Sequence, residues 1–428
     1  MKALKFIKRG STTKNSALVL LGNIISQITG FFVIVIIGRG LSVSDYGIYS
    51  VLNNISSFVT DLADMGMNGA TTRFVAEYHS KEDYDLESAL ILYSMRRKIL
   101  NIVIVFTILV IGARPIAKYM LHDEIHYKWV YLVIVTCAVS LMIGAFRAIL
   151  QGRQSFSRYF ISMALWNIVW WLGIFIINYL GMLDVTTSLF AGVLSGIINL
   201  LLCLRFVDYH QIKKTKSIPD EIRKKFNEFG FWMALWALCA ILQSRMDIFL
   251  LASLTTTEQV SYYDIAIKLT KPVLMVASAY SQVLNPQFAS LNTQAEVSSR
   301  IKRLIKYVSL ISLFIVACII IVEPVVFVVF GHKYDSSIIP SRLLLFADGF
   351  FVWTIPYNSA LYAMNKPFIF TIAAFAGLIV TVIGDLLLLG KYGAIGAAVT
   401  FILAQIIGLV VAIVSYNIIK NKDKRKND

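Results

Sequence analysis

The sequence predicts an all-α membrane protein whose twelve transmembrane helices form two six-helix repeats, the N- and C-lobes, around a central cavity. Composition is the first reason, since 57% of the 428 residues are hydrophobic, 15% are charged and the mean hydropathy is +0.71. Such a chain has too little polar surface for a water-soluble domain. Apolar side chains cover every face of the long hydrophobic stretches, which excludes the alternating pattern of a β-barrel wall.

Each predicted helix is long enough to cross a hydrocarbon core of about 30 Å. The twelve predicted spans are residues 17–38, 47–67, 98–119, 129–150, 159–180, 185–206, 229–253, 259–283, 305–330, 340–363, 368–389 and 394–418.

An internal repeat is the second reason. Residues 181–200 run in step with residues 390–409, and the Arg114-Pro115 pair keeps the same spacing from Glu323-Pro324. Two similar halves of a membrane protein predict two bundles that move against each other, as in secondary transporters. We expect an N-lobe at residues 1–207, a cytoplasmic linker at 208–228, a C-lobe at 229–419 and a basic tail at 420–428.

The basic residues predict orientation. Most Lys and Arg residues fall in segments that this topology places in the cytoplasm, so we expect a multi-pass protein of the cell (cytoplasmic, or inner) membrane with both termini cytoplasmic. The same residues flank helices, where they attract anionic membrane lipids. The net charge of +15 is explained in this way, and we expect no nucleic-acid partner.

The sequence contains no phosphate-binding glycine loop, nucleophile elbow, HExxH or paired-cysteine motif of the kinds found in soluble enzymes. The five His lie in predicted loops and the four Cys lie in separate spans, so we expect neither a metal site nor a disulfide. We therefore expect a transporter with no catalytic residues and no cofactor. Its energy source would be an H⁺ or Na⁺ gradient, the membrane potential or the gradient of its substrate.

Charged side chains at membrane depth carry the functional signal, since each costs at least about 2.5–3.5 kcal/mol at a helix centre. Arg245, Lys268 and Lys271 fall near the middle of the seventh and eighth spans, close to Asp247 and Asp264. Three cations against two acids leave a positive surplus that a substrate with a diphosphate would offset. Internal pairing, or extension of these side chains to the membrane surface, is the alternative.

The first half carries polar residues that we expect to face the same central space. Asn23 and Gln27 are spaced i, i+4 in the first span and are predicted substrate contacts. Asp61 and Asp64 are candidates for binding a coupling ion, although capping or solvation explains them equally well. Asp348 in the tenth span is a stronger intramembrane acid. Two more acids complete the ion-coupling candidates, Asp247 and Asp264.

Three features near helix ends have simpler explanations. Arg147 and Asp385 are expected to extend toward the membrane surface. The polar segment 68–95 is explained equally well by a solvated linker and by a short amphipathic surface helix around residues 73–78.

Several short motifs carry a family resemblance. Residues 38–50 (GRGLSVSDYGIYS) resemble the external turn after the first helix of polysaccharide flippases, the O-antigen and exopolysaccharide branch of the multidrug/oligosaccharidyl-lipid/polysaccharide exporter superfamily. Residues 245–251 (RMDIFLL), the pair Tyr262-Tyr263 and residues 285–288 (NPQF) are similar to that family's Asp-containing seventh helix and the proline that closes its eighth.

The resemblance implies a flippase that carries a polyprenyl-diphosphate-linked oligosaccharide, such as a lipopolysaccharide O-antigen unit, from the cytoplasmic to the external leaflet by alternating access. Relatives have a cationic cavity, where Arg245, Lys268 and Lys271 would fit. This chain lacks the mid-membrane Arg of helices 1 and 2 found in lipid-linked peptidoglycan precursor flippases, and twelve helices is two short of that branch. Peptidoglycan precursor transport is therefore disfavoured.

Two other functions remain open. A multidrug antiporter of the same superfamily is disfavoured because a cationic cavity repels cationic drugs. A membrane-embedded glycan polymerase or ligase would be expected to carry a large external loop, which this sequence lacks. As partners we expect the lipid-linked oligosaccharide, membrane lipids, and a glycan polymerase with its assembly machinery. We expect the monomer to be functional.

Overall fold

The computed structural model describes residues 2–64, 66–207, 218–289, 294–364 and 368–427. Within these residues all regular structure is helical and no strand occurs, which confirms the all-α prediction. The helices are α1 (Lys2–Gly40), α2 (Val43–Asp64), α3 (Met67–Ser80), α4 (Tyr84–Met120), α5 (Tyr127–Gly152), α6 (Phe156–Tyr179), α7 (Val185–Phe206), α8 (Asp220–Leu254), α9 (Thr257–Ala289), α10 (Gln294–Phe330), α11 (Ile338–Ala363) and α12 (Phe368–Asn427).

Eight stretches of the described residues are long and apolar enough to cross a membrane, and they lie in α1, α4, α5, α6, α7, α10, α11 and α12. The multi-pass membrane prediction is therefore confirmed. Three more long helices, α2, α8 and α9, fall outside this set. A count of twelve spans requires these three to be included, α3 to be left out and α12 to be divided at its kink. These three helices carry most of the candidate site residues.

The two halves repeat the same order of elements. Both α4 and α10 contain a proline, Pro115 and Pro324. A short 3₁₀ helix follows each of them, Glu124–His126 and His332–Ser337, and leads into a helix of 26 residues, α5 or α11. The repeat predicted from the paired prolines is thus visible in the fold.

The turn between the last two helical segments differs between the halves. Gly181 has a φ of 69° and separates α6 from α7, but Gly390, its partner in the sequence alignment, lies within helix. The second half turns at Gly393, where φ is 52° and α12 kinks. The side chain of Gln259 accepts a hydrogen bond of 2.9 Å from the Ala394 amide. This contact caps the second segment of α12 and fixes the turn three residues later than the alignment predicts.

The chain divides into two compact units, Met1–Ile241 and Leu242–Asp428, and the division lies inside α8. Residues 208–217 of the predicted linker lie outside the described residues. From Asp220 onward the predicted linker is helical, because its acidic first turn suits a helix N-terminus. The basic tail predicted at 420–428 is likewise helical as far as Asn427, since its Lys and Arg residues favour helix.

The start of α8 packs on the first unit. Phe226 is buried with its ring 5.7 Å from both Phe74 and Tyr93, and the Tyr93 hydroxyl donates to Asn227. Burial of such a ring stabilises by roughly 1.5–3 kcal/mol. α3 contributes Phe74 to the same apolar cluster. The segment 68–95 is therefore helical and not a solvated linker, since it consists mainly of α3 and the start of α4.

Replacing Gly393 with alanine is expected to lower the melting temperature of the solubilised protein. A left-handed residue with a side chain costs roughly 1–2 kcal/mol, and the new Cβ would collide with the side chain of Gln259. Gly390→Ala is the matched control, because a Cβ there meets nothing within 4 Å. Thermal unfolding in detergent measures both variants. Equal melting temperatures would contradict the assignment of the turn to Gly393.

Candidate functional site

The second unit brings the three predicted cations within electrostatic reach of one another. The charges of Arg245 on α8 and Lys268 on α9 both act on Lys271. Lys268 Nζ lies 3.6 Å from Asp264 Oδ1, so internal pairing applies to this cation. Lys271 is exposed, and no ion pair to it is found among the described residues. Lys268 is therefore paired with an acid, whereas Lys271 is an exposed cation.

Asp247 ties α8 to α9. Its Oδ2 accepts a hydrogen bond of 2.5 Å from the hydroxyl of the buried Tyr263, and its Oδ1 accepts one of 2.9 Å from the Ile248 amide. Arg245, two residues earlier, adds an attractive charge. Both acids near the cations are thus already engaged, Asp247 with Tyr263 and Asp264 with Lys268, and the net charge of the group stays positive.

Two more acids of the second unit are deeply buried. Asp348 on α11 is 1% exposed and Asp385 on α12 is 0% exposed. None of their four carboxyl oxygens has a hydrogen-bond partner among the described residues. Tyr263 lies within electrostatic range of both Asp348 and Asp385. Asp385 also lies within electrostatic range of Asp247. We call Asp247, Tyr263, Asp348 and Asp385 the acid cluster.

The expectation that Asp385 extends to the membrane surface is wrong. A Cβ on Gly384 would lie 2.7 Å from Thr400 Cγ2, so this glycine allows the two segments of α12 to pack closely. The close approach buries Asp385 beside Thr400. The Thr400 hydroxyl donates to the Gly396 carbonyl at 3.0 Å.

The acid cluster is suited chemically to a small cation. An ionised carboxylate that is buried without donors costs several kcal/mol, and such a group gains stability by binding a proton or a cation. Asp348, predicted as an ion-coupling residue, lies in this environment. Asp264 differs because Lys268 Nζ lies 3.6 Å from its Oδ1 and offsets its charge, although that oxygen accepts no hydrogen bond among the described residues.

The polar residues predicted in the first half lie in the first unit. Asn23 and Gln27 on α1 are exposed, and so is Asp61 near the end of α2. Asp64 instead pairs with Lys98 of α4 and accepts a hydrogen bond from the Asn68 amide at 3.3 Å. Asp64 is therefore part of an ion pair, whereas Asn23, Gln27 and Asp61 are exposed.

Lys98 is a buried cation that the sequence prediction missed. Only 2% of its side chain is exposed, and besides pairing with Asp64 it donates to Asn68 Oδ1 at 3.2 Å. The sequence prediction places Lys98 at the cytoplasmic edge of a span, but α4 begins 14 residues earlier, at Tyr84. The spacing of Ser94, Lys98 and Asn101 on one helical face is the signal that indicates an interior position.

The sequence prediction also missed the ionisable residues around the buried Glu87 of α4. One carboxylate oxygen accepts a hydrogen bond from Arg153 Nε, and the other lies 2.9 Å from His79 Nδ1. Because His79 is on α3 and Arg153 follows α5, Glu87 connects three elements of the first unit.

Arg147 does not extend to the membrane surface as expected. Its Nε and Nη2 donate to the hydroxyl and carbonyl of Ser162 at 3.0 and 2.9 Å. Its guanidinium lies 5.6 Å from the centre of the Trp166 ring. Two hydrogen bonds and a cation–π contact hold this side chain between α5 and α6.

Comparisons with known proteins place this geometry in context. The family model described as polysaccharide biosynthesis protein matches residues 12–292. The chain is 22% identical over 411 residues to an uncharacterized membrane protein of Methanocaldococcus jannaschii, covering 92% of this chain and 95% of that protein. It is also 22% identical over 407 residues to the probable low-salt glycan biosynthesis flippase Agl15 of Haloferax volcanii, covering 93% and 82%.

Two solved structures share the fold. An inward-facing multidrug resistance MATE family transporter of the MOP superfamily aligns with a TM-score of 0.77 and 15% identity, covering 94% of this chain and 96% of its own. The lipid II flippase MurJ, in an inward closed conformation, aligns with a TM-score of 0.74 and 16% identity, covering 93% and 87%. These likenesses establish the architecture.

Lys98→Met is expected to destabilise the protein by roughly 3 kcal/mol, because it leaves Asp64 unpaired in a largely buried site. Adding Asp64→Asn should recover much of this loss. The matched control is Lys81→Gln, which breaks the exposed pair with Glu77. The hydrogen bond from Lys81 lowers the pKa of Glu77, but an exposed pair contributes only about 0–1 kcal/mol. Melting temperatures of the unmodified protein and the three variants measure the effect, and a double variant no more stable than Lys98→Met would contradict it.

Proposed function

Because the chain belongs to the polysaccharide biosynthesis protein family, we propose that it is a flippase for a polyprenyl-diphosphate-linked oligosaccharide. It moves the glycan from the cytoplasmic to the external leaflet of the cell membrane by alternating access, and both of its termini are cytoplasmic. The matched relative from Haloferax volcanii supports glycan biosynthesis as the setting.

The observation that carries this proposal is the net positive charge of the group formed by Arg245, Lys268 and Lys271. Asp264 offsets Lys268, and Tyr263 holds Asp247. A diphosphate supplies the missing negative charge, since a guanidinium grips phosphate oxygens in a bidentate fork and an ammonium adds a point charge. Placing these groups on rigid helices keeps them in position before the substrate arrives, which lowers the entropy cost of binding.

The acid cluster supports coupling to an ion. Asp348 and Asp385 are buried without hydrogen-bond donors among the described residues, so binding of H⁺ or Na⁺ relieves a large desolvation cost. Of the coupling candidates, Asp348 and Asp247 belong to this cluster. Asp64 and Asp264 are each neutralised by a lysine, which makes them structural counter-ions in this proposal.

The same charge distribution disfavours export of cationic drugs, because a positive site repels them. The Haloferax volcanii relative is named a probable flippase, which supports a non-enzymatic role. A glycan polymerase and its assembly machinery act on the product in this proposal, and one copy of the chain suffices for transport.

Replacing Arg245, Lys268 and Lys271 together with glutamine is expected to reduce glycan export at least tenfold. The substitution removes the charges that hold the diphosphate, while the amides keep hydrogen-bonding capacity. Export is measured as surface glycan in a strain that lacks its own flippase, with protein abundance quantified in the membrane fraction.

The matched control removes three exposed cations from the start of α8, Arg223, Lys224 and Lys225, by the same change to glutamine. This control should keep nearly normal export, because its cations lie far along α8 from Arg245. Full export by the first triple variant would remove the diphosphate site. Loss of export in both variants would assign the effect to overall charge.

A further inference from the structure

A cavity of about 180 Å³ lies within the second unit, between α11 and the two segments of α12. Its wall includes four neutral polar side chains and two phenyl rings, from Thr354, Asn358, Thr381, Gln405, Phe351 and Phe401. Internal spaces with several polar partners hold water, whereas purely apolar ones stay dry. A single water molecule requires roughly 10–15 Å³ of such space, so this cavity has room for several.

The cavity begins about one helical turn from Asp348 on α11 and from Asp385 on the first segment of α12. Phe351 is three residues after Asp348 on α11, and Thr381 is four residues before Asp385 on the first segment of α12. On the second segment, Phe401 directly follows Thr400. With a rise of about 1.5 Å per residue, these positions lie within about 6 Å along the helix axes.

The other end of the cavity points along α11 and α12 toward the connection between them. Asn358 is five residues before the end of α11, and Ala373 is five residues after the start of α12. The predicted topology places this connection on the cytoplasmic side. The cavity therefore runs from the side of the α11–α12 connection toward Asp348 and Asp385.

We propose that this cavity is a water-filled vestibule through which a small monovalent cation, H⁺ or Na⁺, reaches Asp348 and Asp385. Two features support the assignment. The carboxyl oxygens of Asp348 and Asp385, which lie about one helical turn beyond the cavity lining, have no donors among the described residues, so a proton or cation that arrives through the vestibule would satisfy them. The vestibule wall offers neutral oxygen ligands from Thr and from the amides of Asn358 and Gln405, which suit a small hard cation without trapping it.

This inference rests on the proposed ion coupling and deepens it, because it gives the cation a route inside the second unit. It is independent of which glycan is carried. The diphosphate site on α8 and α9 and the vestibule use different residues, so each can fail in experiment without the other.

The direct test is labelling of Gln405→Cys in a chain whose four native cysteines are replaced by alanine. The probe is the small cationic thiol reagent 2-aminoethyl methanethiosulfonate, applied to the full chain in liposomes. We expect labelling at least tenfold faster than that of Ser261→Cys, a fully buried position of the same unit outside the cavity. Equal, slow labelling of the two cysteines would overturn the vestibule.

A second variant blocks the route. Gly408 lines the cavity and a Cβ there meets nothing within 4 Å, so Gly408→Leu fills the space without a clash at Cβ. We expect it to slow labelling of Gln405→Cys at least tenfold and to reduce glycan export. Gly390→Leu, the same change at another unobstructed glycine, should leave both rates unchanged. Unchanged labelling in Gly408→Leu would also overturn the proposal.

The identity of the cation follows from repeating the labelling with Na⁺ replaced by N-methylglucamine at constant pH and ionic strength. Slower labelling in Na⁺ would assign Na⁺ to the vestibule. Equal rates in the two salts, with export that depends on the pH gradient, would assign H⁺. Export that is lost in the Arg245, Lys268 and Lys271 variant while labelling persists would separate the two sites.

Discussion

The cost of placing charge inside an apolar, membrane-spanning bundle is the constraint on which the rest of this structure depends. Each buried ionisable side chain must find a counter-ion, a donor or an external ligand, since leaving it alone costs several kcal/mol. The charged side chains that are buried among the described residues are accordingly few, namely Glu87, Lys98, Asp247, Asp264, Asp348 and Asp385. What each charge binds then distinguishes structural residues from functional ones.

The two units meet this constraint in different ways, although they share one order of helices. In the first unit Lys98 neutralises Asp64, Arg153 neutralises Glu87, and Arg147 is held by Ser162 and Trp166. In the second unit the cations on α8 and α9 exceed their acids, and Asp348 and Asp385 lack donors among the described residues. The unit with unbalanced charge is where an anionic substrate and a coupling cation gain most from binding.

Composition and hydrophobic pattern were sufficient to predict the helical membrane fold, because they depend on sums over many residues. Single charges could not be placed as well. The sequence prediction placed Lys98 at the edge of a span. The reason is that the first residues of α4, from Tyr84 onward, are polar and resemble a linker. Asp385 looked like a surface residue because its burial depends on Gly384 and the kink of α12, contacts that are distant in sequence. Pairing within one helix, as for Asp264 and Lys268, followed directly from their spacing.

The central claim is that the cations on α8 and α9 bind a diphosphate. Direct binding of a short-chain polyprenyl diphosphate to the purified protein in detergent tests this most directly. We predict that affinity falls as ionic strength rises. We also predict that Arg245→Gln combined with Lys271→Gln weakens binding at least tenfold, equivalent to about 1.4 kcal/mol. Equal affinities of the variant and the unmodified protein, insensitive to salt, would contradict the account.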